Sequence, residues 1–186
     1  DAPTHGLEGA TNIAGVLERE HLTETVKLIQ TLVPQETRVA VISDLDSYWE
    51  TVIGRIRDQF AHLPGLSLTA VDRVSTFADF QQRVLAYPEI ADAVLYLGVF
   101  NLEDGAGAAV PYHQVQRWLV EHSPLPDASF WIDRVHHGTL AAVTVSEWEQ
   151  GLAAGRLART ILTRGASPAS PKVGVKPLGT IPEVCG

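Results

Sequence analysis

The stretch Arg38-Val-Ala-Val-Ile-Ser-Asp-Leu-Asp-Ser-Tyr-Trp-Glu-Thr-Val-Ile-Gly-Arg-Ile-Arg-Asp-Gln-Phe60 decides the fold. Its first six residues, Arg38 to Ser43, form a short β-branched run of the kind that makes a buried strand. Asp44 to Ser47 is a polar turn, and Ser47 with Glu50 has the spacing of a capping box. Trp49, Val52, Ile53, Ile56, Phe60 and Leu63 then fall on one stripe at helical spacing, and Pro64-Gly65 ends the helix. The stretch is a strand, a loop and a helix in sequence.

The same unit recurs outward in both directions. Leu66 to Val74 alternates as a strand, Ser75-Thr76 caps, and Phe77, Phe80, Val84 and Leu85 mark a helix that stops before Pro88. Asp92 to Leu97 is a third strand ending at Gly98. A polar, glycine-bearing loop, Asn101 to Gly107, leads through Pro111 into a helix marked by Val115, Trp118 and Leu119. Ser129 to Ile132 reads as a fourth strand and Leu140 to Val145 as a fifth. Ser146 with Glu149 opens a further helix through Leu162, stopped at Gly165. At the front, Asn12 to Val16 reads as a short strand before a helix carrying Leu22, Val26, Ile29 and Val33, closed by Pro34. The segment from Ala166 onward is rich in Pro and Ser and reads as irregular. Strands alternating with helices of this length imply βαβ units, hence an α/β fold: a three-layer α/β/α sandwich on a mainly parallel sheet.

Composition narrows the function. The 186 residues carry a net charge of −8, with 45% hydrophobic and 19% charged residues. Such a chain buries enough surface to fold without disulfides or metals. Its acidic balance lacks the basic footprint that phosphate backbones require, so nucleic acid is excluded as a partner. The single cysteine, Cys185, cannot form an internal disulfide or a cysteine-based zinc site, and reads as exposed. There is no methionine and the first residue is Asp1, which suggests a processed or partial sequence. No apolar run reaches the length of about 20 residues that spans a bilayer.

Open parallel sheets bind ligands outside the carboxyl ends of their strands, where the strand order reverses. Those ends carry Ser43, Asp44 and Asp46 with Tyr48 just beyond, then Ser75 and Thr76, then Phe100 and Asn101, then Trp131 and Asp133. Carboxylates suit an ammonium, while hydroxyls and helix N-termini suit a carboxylate, so the set fits a small polar or zwitterionic ligand. Asp44 and Asp46 are equally at home as plain loop acids beside a helix N-terminus, and Trp131 as a rim aromatic. Signatures of catalysis are missing: no nucleophile elbow, no phosphate-binding loop and no paired-histidine zinc motif occurs. Gly105 to Ala109 lacks the glycine spacing of a dinucleotide loop and reads as a surface loop. His136-His137 with Asp133 lacks a third ligand at helical spacing, so no metal or cofactor is expected. The residues indicate a binder and not an enzyme, with a flavodoxin-like nucleotide-binding enzyme using the Asp44/Asp46 loop as the rival reading.

Segment order resembles the ABC-transporter substrate-binding family of type I periplasmic binding proteins, the group that includes tryptophan- and tyrosine-uptake proteins. Asn12-Ile-Ala-Gly15 is similar to that family's Asn-hydrophobic-Thr-Gly segment, with Ala14 in place of Thr. Leu28 to Pro34 followed by Arg38 to Ile42 resembles its helix–Pro–strand passage, and Asp92-Ala-Val-Leu-Tyr96 its Asp-Ala-hydrophobic strand. Gly138-Thr-Leu140, Gln150-Gly151, Ala154-Gly155, Ile161-Leu162 and Gly165 resemble its closing segment. The resemblance runs from about residue 10 to residue 178 and implies a Rossmann-like lobe that binds a small polar solute, an amino acid or similar metabolite. It further implies a periplasmic or other extracytoplasmic location and an ABC permease as partner. Some relatives of this type serve instead as extracytoplasmic sensory domains that feed an output domain. Family members have two lobes, and the resemblance starts at the first crossover between them. Residues 1–136 then correspond to the second, C-terminal lobe. Residues 137–165 correspond to a strand and helix that normally return to the first lobe, and 166–186 to a Pro/Gly-rich tail. As a fragment lacking most of the first lobe, the chain is expected to self-associate; the small-residue face of Gly151, Ala154, Gly155 and Ala158 suits close packing on a partner element, and packing of that segment on its own sheet is the equal alternative. The expected ligand contacts are Asp44, Asp46, Tyr48, Phe100, Asn101, Trp131 and Asp133.

Overall fold

The computed structural model describes residues 10–16, 20–33, 37–144, 146–168 and 182–184. They divide into two compact units, one built mainly on residues 21–144 with the chain's last residues, the other on the N-terminal segment and residues 145–180.

The larger unit holds the sheet. Its elements are α1 (Leu22–Leu32), β1 (Thr37–Asp44), α2 (Tyr48–Phe60), β2 (Leu66–Val74), α3 (Phe77–Ala86), β3 (Ala93–Tyr96), α4 (Tyr112–His122), β4 (Asp127–Ser129), α5 (Ile132–His136), β5 (Ala141–Val143) and β6 (Pro182–Val184). The strands lie in the order β2-β1-β3-β4-β5-β6. All neighbours from β2 to β5 are parallel, and β6 runs antiparallel to β5. Strand order therefore reverses between β1 and β3, the switch point of an open α/β sheet.

Alternation along β1 sends Val39 and Val41 to one face and Ala40 and Ile42 to the other, and both faces are buried. The first face packs under α1 and α2, through Val26, Ile29, Trp49, Val52, Ile53 and Ile56. The second packs under α3 and α4, through Phe80, Val84, Val115 and Leu119. This is the expected three-layer α/β/α sandwich. β2 is an edge strand, alternating half-buried and exposed at its start and half-buried from Ala70 until Val74 is buried. Arg38 fastens the amino ends of the central strands: its Nε and Nη2 donate to the two oxygens of Asp92 at 3.1 and 2.8 Å.

Several local expectations are corrected. Asn12 to Val16 is a bend followed by irregular backbone and pairs with no described strand. The fourth strand is Asp127–Ser129, not Ser129 to Ile132; Trp131 instead caps α5 in an extended conformation. The segment after Ala166 is not wholly irregular, because Pro182–Val184 pairs with the open edge of β5, and proline is tolerated on such an edge. Ser47 makes no side-chain cap on α2; Asp46 Oδ1 accepts from the Tyr48 N–H at 2.9 Å instead. Leu85 is 55% exposed and lies off the buried stripe of α3. The Thr76 cap on α3 is present, accepting from Asp79 N–H. Pro34, Val145 and Cys185 lie outside the described residues.

The smaller unit contains α6 (Glu147–Arg164), which Ser146 caps by accepting from Glu149 N–H and which ends at Gly165 in the left-handed region, φ 61°. Gly151, Ala154, Gly155 and Ala158 are all exposed on it. β5 pairs with β4 in the sheet of the larger unit, and the compact units part near residue 144.

Candidate functional site at the strand switch point

Asp44 is the last residue of β1, and burial on both sheet faces leaves its side chain 0% exposed at the switch point. A carboxylate there needs donors for its lone pairs. Oδ1 accepts from Asp46 N–H at 2.9 Å and from Trp49 Nε1 at 2.8 Å. Oδ2 accepts from Phe100 N–H at 2.9 Å, Asn101 N–H at 3.1 Å and Asn101 Nδ2 at 3.2 Å. One buried carboxylate thus gathers the β1–α2 turn, the first turn of α2 and the loop after β3.

Close approach at Gly98 completes this junction. Its carbonyl accepts from Asp44 N–H at 2.8 Å, and a Cβ there would sit 1.9 Å from Trp49 Cζ2 and 2.8 Å from Phe100 Cε2. On the outer side Arg73 clamps the turn, donating to the carbonyls of Leu45 and Asp46 and to Glu50 Oε1 at 2.9 Å.

Around the junction lies a band of aromatic rings. Trp49 meets Tyr48 edge-on at 4.9 Å and Trp131 edge-on at 5.6 Å. Phe100 packs on Tyr112 at 5.1 Å, and the Tyr112 hydroxyl donates to Asp133 Oδ2 at 2.5 Å. Burial, and then the bond to Asp133, raises the Tyr112 phenol above its ordinary pKa, so it stays a donor at neutral pH.

The seven expected residues thus come from three strand ends. Asp46, Tyr48, Phe100 and Asn101 are exposed, and Trp131 and Asp133 half-buried. Asp44 alone has no surface. Trp49 connects Tyr48 to Trp131, and Tyr112 connects Phe100 to Asp133.

Arg134 was not foreseen. It follows Asp133 in α5, is 0% exposed, and its guanidinium carbon stands 4.6, 4.8 and 4.9 Å from the ring centres of Tyr112, Tyr96 and Phe100. With Ser129 to Ile132 taken as strand, no helix stood there to aim a side chain inward. The one clue was a charged pair, Asp133-Arg134, set between the apolar residues Phe130 to Ile132 and Val135.

Among the described residues no group of three or more His, Cys, Asp or Glu side chains could hold a metal. The Asp44 to Ser47 turn has no glycine that would let a phosphate approach the backbone.

An open parallel sheet that gathers aromatic and acidic side chains at its switch point belongs to the class of α/β folds in which that position is where ligands usually bind. Residues 4–178 match the model of the family described as ABC transporter substrate binding protein, and the chain belongs to that family. No curated protein matches. A conserved domain protein from Vibrio cholerae O1 biovar El Tor is similar in structure, with a TM-score of 0.69 at 18% identity over 93% of this chain and 55% of that one. The ABC domain in complex with L-Trp from Streptococcus pneumoniae is similar at a TM-score of 0.64 and 22% identity, over 89% of this chain and 53% of that one. The chain spans about half the length of these two structures, and the likeness establishes the periplasmic-binding-protein fold.

Proposed function

We propose that this chain is the second lobe of a solute receptor that captures an amino acid or similar small polar metabolite outside the cytoplasm and presents it to an ABC permease without chemical conversion. The observation that carries this reading is the convergence of three strand ends on one aromatic and acidic surface at the switch point, in a chain of this family. Asp46, Tyr48, Phe100, Asn101, Trp131 and Asp133 are the contact residues. Asp44 has its lone pairs taken by backbone and side-chain donors, and its part is to hold the two loops in register.

In the intact receptor, ligand would bridge this surface and the facing lobe, and closure would shift an open–closed equilibrium that the permease reads. α6, with no buried residue and with Trp148 75% exposed, suits packing on an element of that facing lobe.

The test is a thermal-shift and calorimetric screen of this chain against the common amino acids, small carboxylates, nucleotides and divalent metals. A selective amino-acid response, lost in Trp131→Ala and Asp133→Ala, is expected. A response to nucleotides with magnesium and to no amino acid would overturn the reading in favour of a flavodoxin-like enzyme.

A further inference from the structure

Arg134 is a buried cation that the fold surrounds with rings. Its Nε, Nη1 and Nη2 have no well-aligned hydrogen-bond partner among the described residues, and the hydroxyl of Tyr96, the polar group that interacts with it, has none either. Three aromatic faces attract a guanidinium but leave its five in-plane N–H donors unsatisfied. The neighbouring carboxylate of Asp133 is engaged by Tyr112. A buried charge left unpaired is strongly destabilising, so a chain that retains one gains by it only when a counter-ion arrives.

The surroundings say which side the counter-ion enters from. Tyr96 is 0% exposed and Tyr112 is half-buried, whereas Phe100 is 50% exposed. Phe100 is also a member of the loop after β3 whose backbone N–H is tied to Asp44. With its main chain held at Asp44, rotation of its side chain is the movement that would uncover the guanidinium on the surface proposed for ligand.

We infer that Arg134 anchors the carboxylate of the solute, with Phe100 as the ring that covers it when no ligand is bound. The inference deepens the proposed function and rests on it. A planar fork of donors matches the two oxygens of a carboxylate, which makes carboxylate-bearing solutes the ligand class of this lobe. The rings Tyr96 and Tyr112 stay in place behind the guanidinium and keep water from it, which strengthens the pair.

The experiment uses the 186-residue chain and titrates matched pairs by calorimetry: L-tryptophan against tryptamine, L-tyrosine against tyramine, and L-leucine against isoamylamine, with acetate, succinate and inorganic phosphate as simple anions. Melting temperatures of Arg134→Met, Arg134→Lys and wild type are measured without additive. The expected result is binding of at least one acid, with its carboxyl-free partner weaker by about 30-fold or more. Arg134→Met is expected to lose that preference and to melt higher than wild type, because an unpaired charge has been replaced by an apolar chain. Arg134→Lys is expected to bind more weakly than wild type. Equal affinity for an acid and its amine overturns the inference and leaves the solute-binding reading standing. A lower melting temperature for Arg134→Met also overturns it, by showing that the guanidinium is satisfied within the fold. Phosphate binding without carboxylate binding overturns the ligand class. If no compound in the panel binds wild type, the inference falls together with the proposed function.

Discussion

Single residues at this candidate site divide sharply into those that hold the frame and those left exposed beside it. Asp44 holds. Asp44→Ala would strand Trp49 Nε1 and the main-chain N–H groups of the two loops, and is expected to destabilise by about 3 kcal/mol or more, read as a drop in the urea midpoint. Gly98→Ala is a second frame lesion: its methyl group would overlap Trp49, with a cost of about 3 kcal/mol and loss of the native near-ultraviolet aromatic signal. Two carboxylates give opposite pH signatures. Asp92 is held below its ordinary pKa by its hydrogen bonds to Arg38. Its contribution is therefore present above the unfolded carboxylate pKa and is lost as pH falls through the lower folded value. Wild type should lose stability on acidification through that window more steeply than Asp92→Ala. Asp127 is pushed upward by burial, which outweighs the hydrogen bond that its Oδ1 accepts from Leu140 N–H and the weaker help of Thr139. Here the folded pKa lies above the unfolded one, so ionisation disfavours the fold and stability falls as pH rises through the interval between them. Asp127→Asn should therefore melt higher than wild type at neutral pH, with the gap closing in acid.

At the level of elements, the strongly periodic ones were legible and the short ones were not. The β-branched run at Arg38 and the apolar stripe from Trp49 to Phe60 are each long enough for side-chain period to identify them. β4 and β5 are three residues each, too short for any period, and their limits are set by the neighbours they pair with. The misplacement of β4 hid α5, and with it Arg134. β6 was invisible for a related reason: its partner edge lies some forty residues earlier in the chain, and pairing of that kind leaves no local trace. The ends of β1 and β3 were correctly expected to carry the polar and aromatic side chains, since the switch-point rule depends only on strand order. Whether Asp44 touches a ligand or braces a loop was not legible, because Asp has the same spacing in either role. Capping is an element-scale property that can be checked directly. Thr76→Ala removes the acceptor for Asp79 N–H at the start of α3 and is expected to lower stability by about 1 kcal/mol, measured by chemical denaturation.

Across the whole molecule, protection from hydrogen exchange should be unequal. β1 and β3 are central, paired on both sides and buried on both faces, so their amides should exchange only through global unfolding. α6 has no buried residue, and its amides should exchange through local opening far sooner; equal protection in β1 and α6 would contradict this ordering. The indoles are equally unequal. Trp49 and Trp131 meet at 5.6 Å and 76°, Trp118 lies flat on His122 at 4.8 Å and 5°, and Trp148 stands in solvent. Two indoles that close share their electronic excitation, so the Trp49–Trp131 pair gives a split circular-dichroism band whose shape depends on the angle between the rings. Trp49 is buried and pinned through its N–H to Asp44, whereas Trp131 is half-buried. The molecule therefore carries an unlabelled optical goniometer at the edge of its candidate binding surface, with one arm fixed to the frame and the other partly open to solvent.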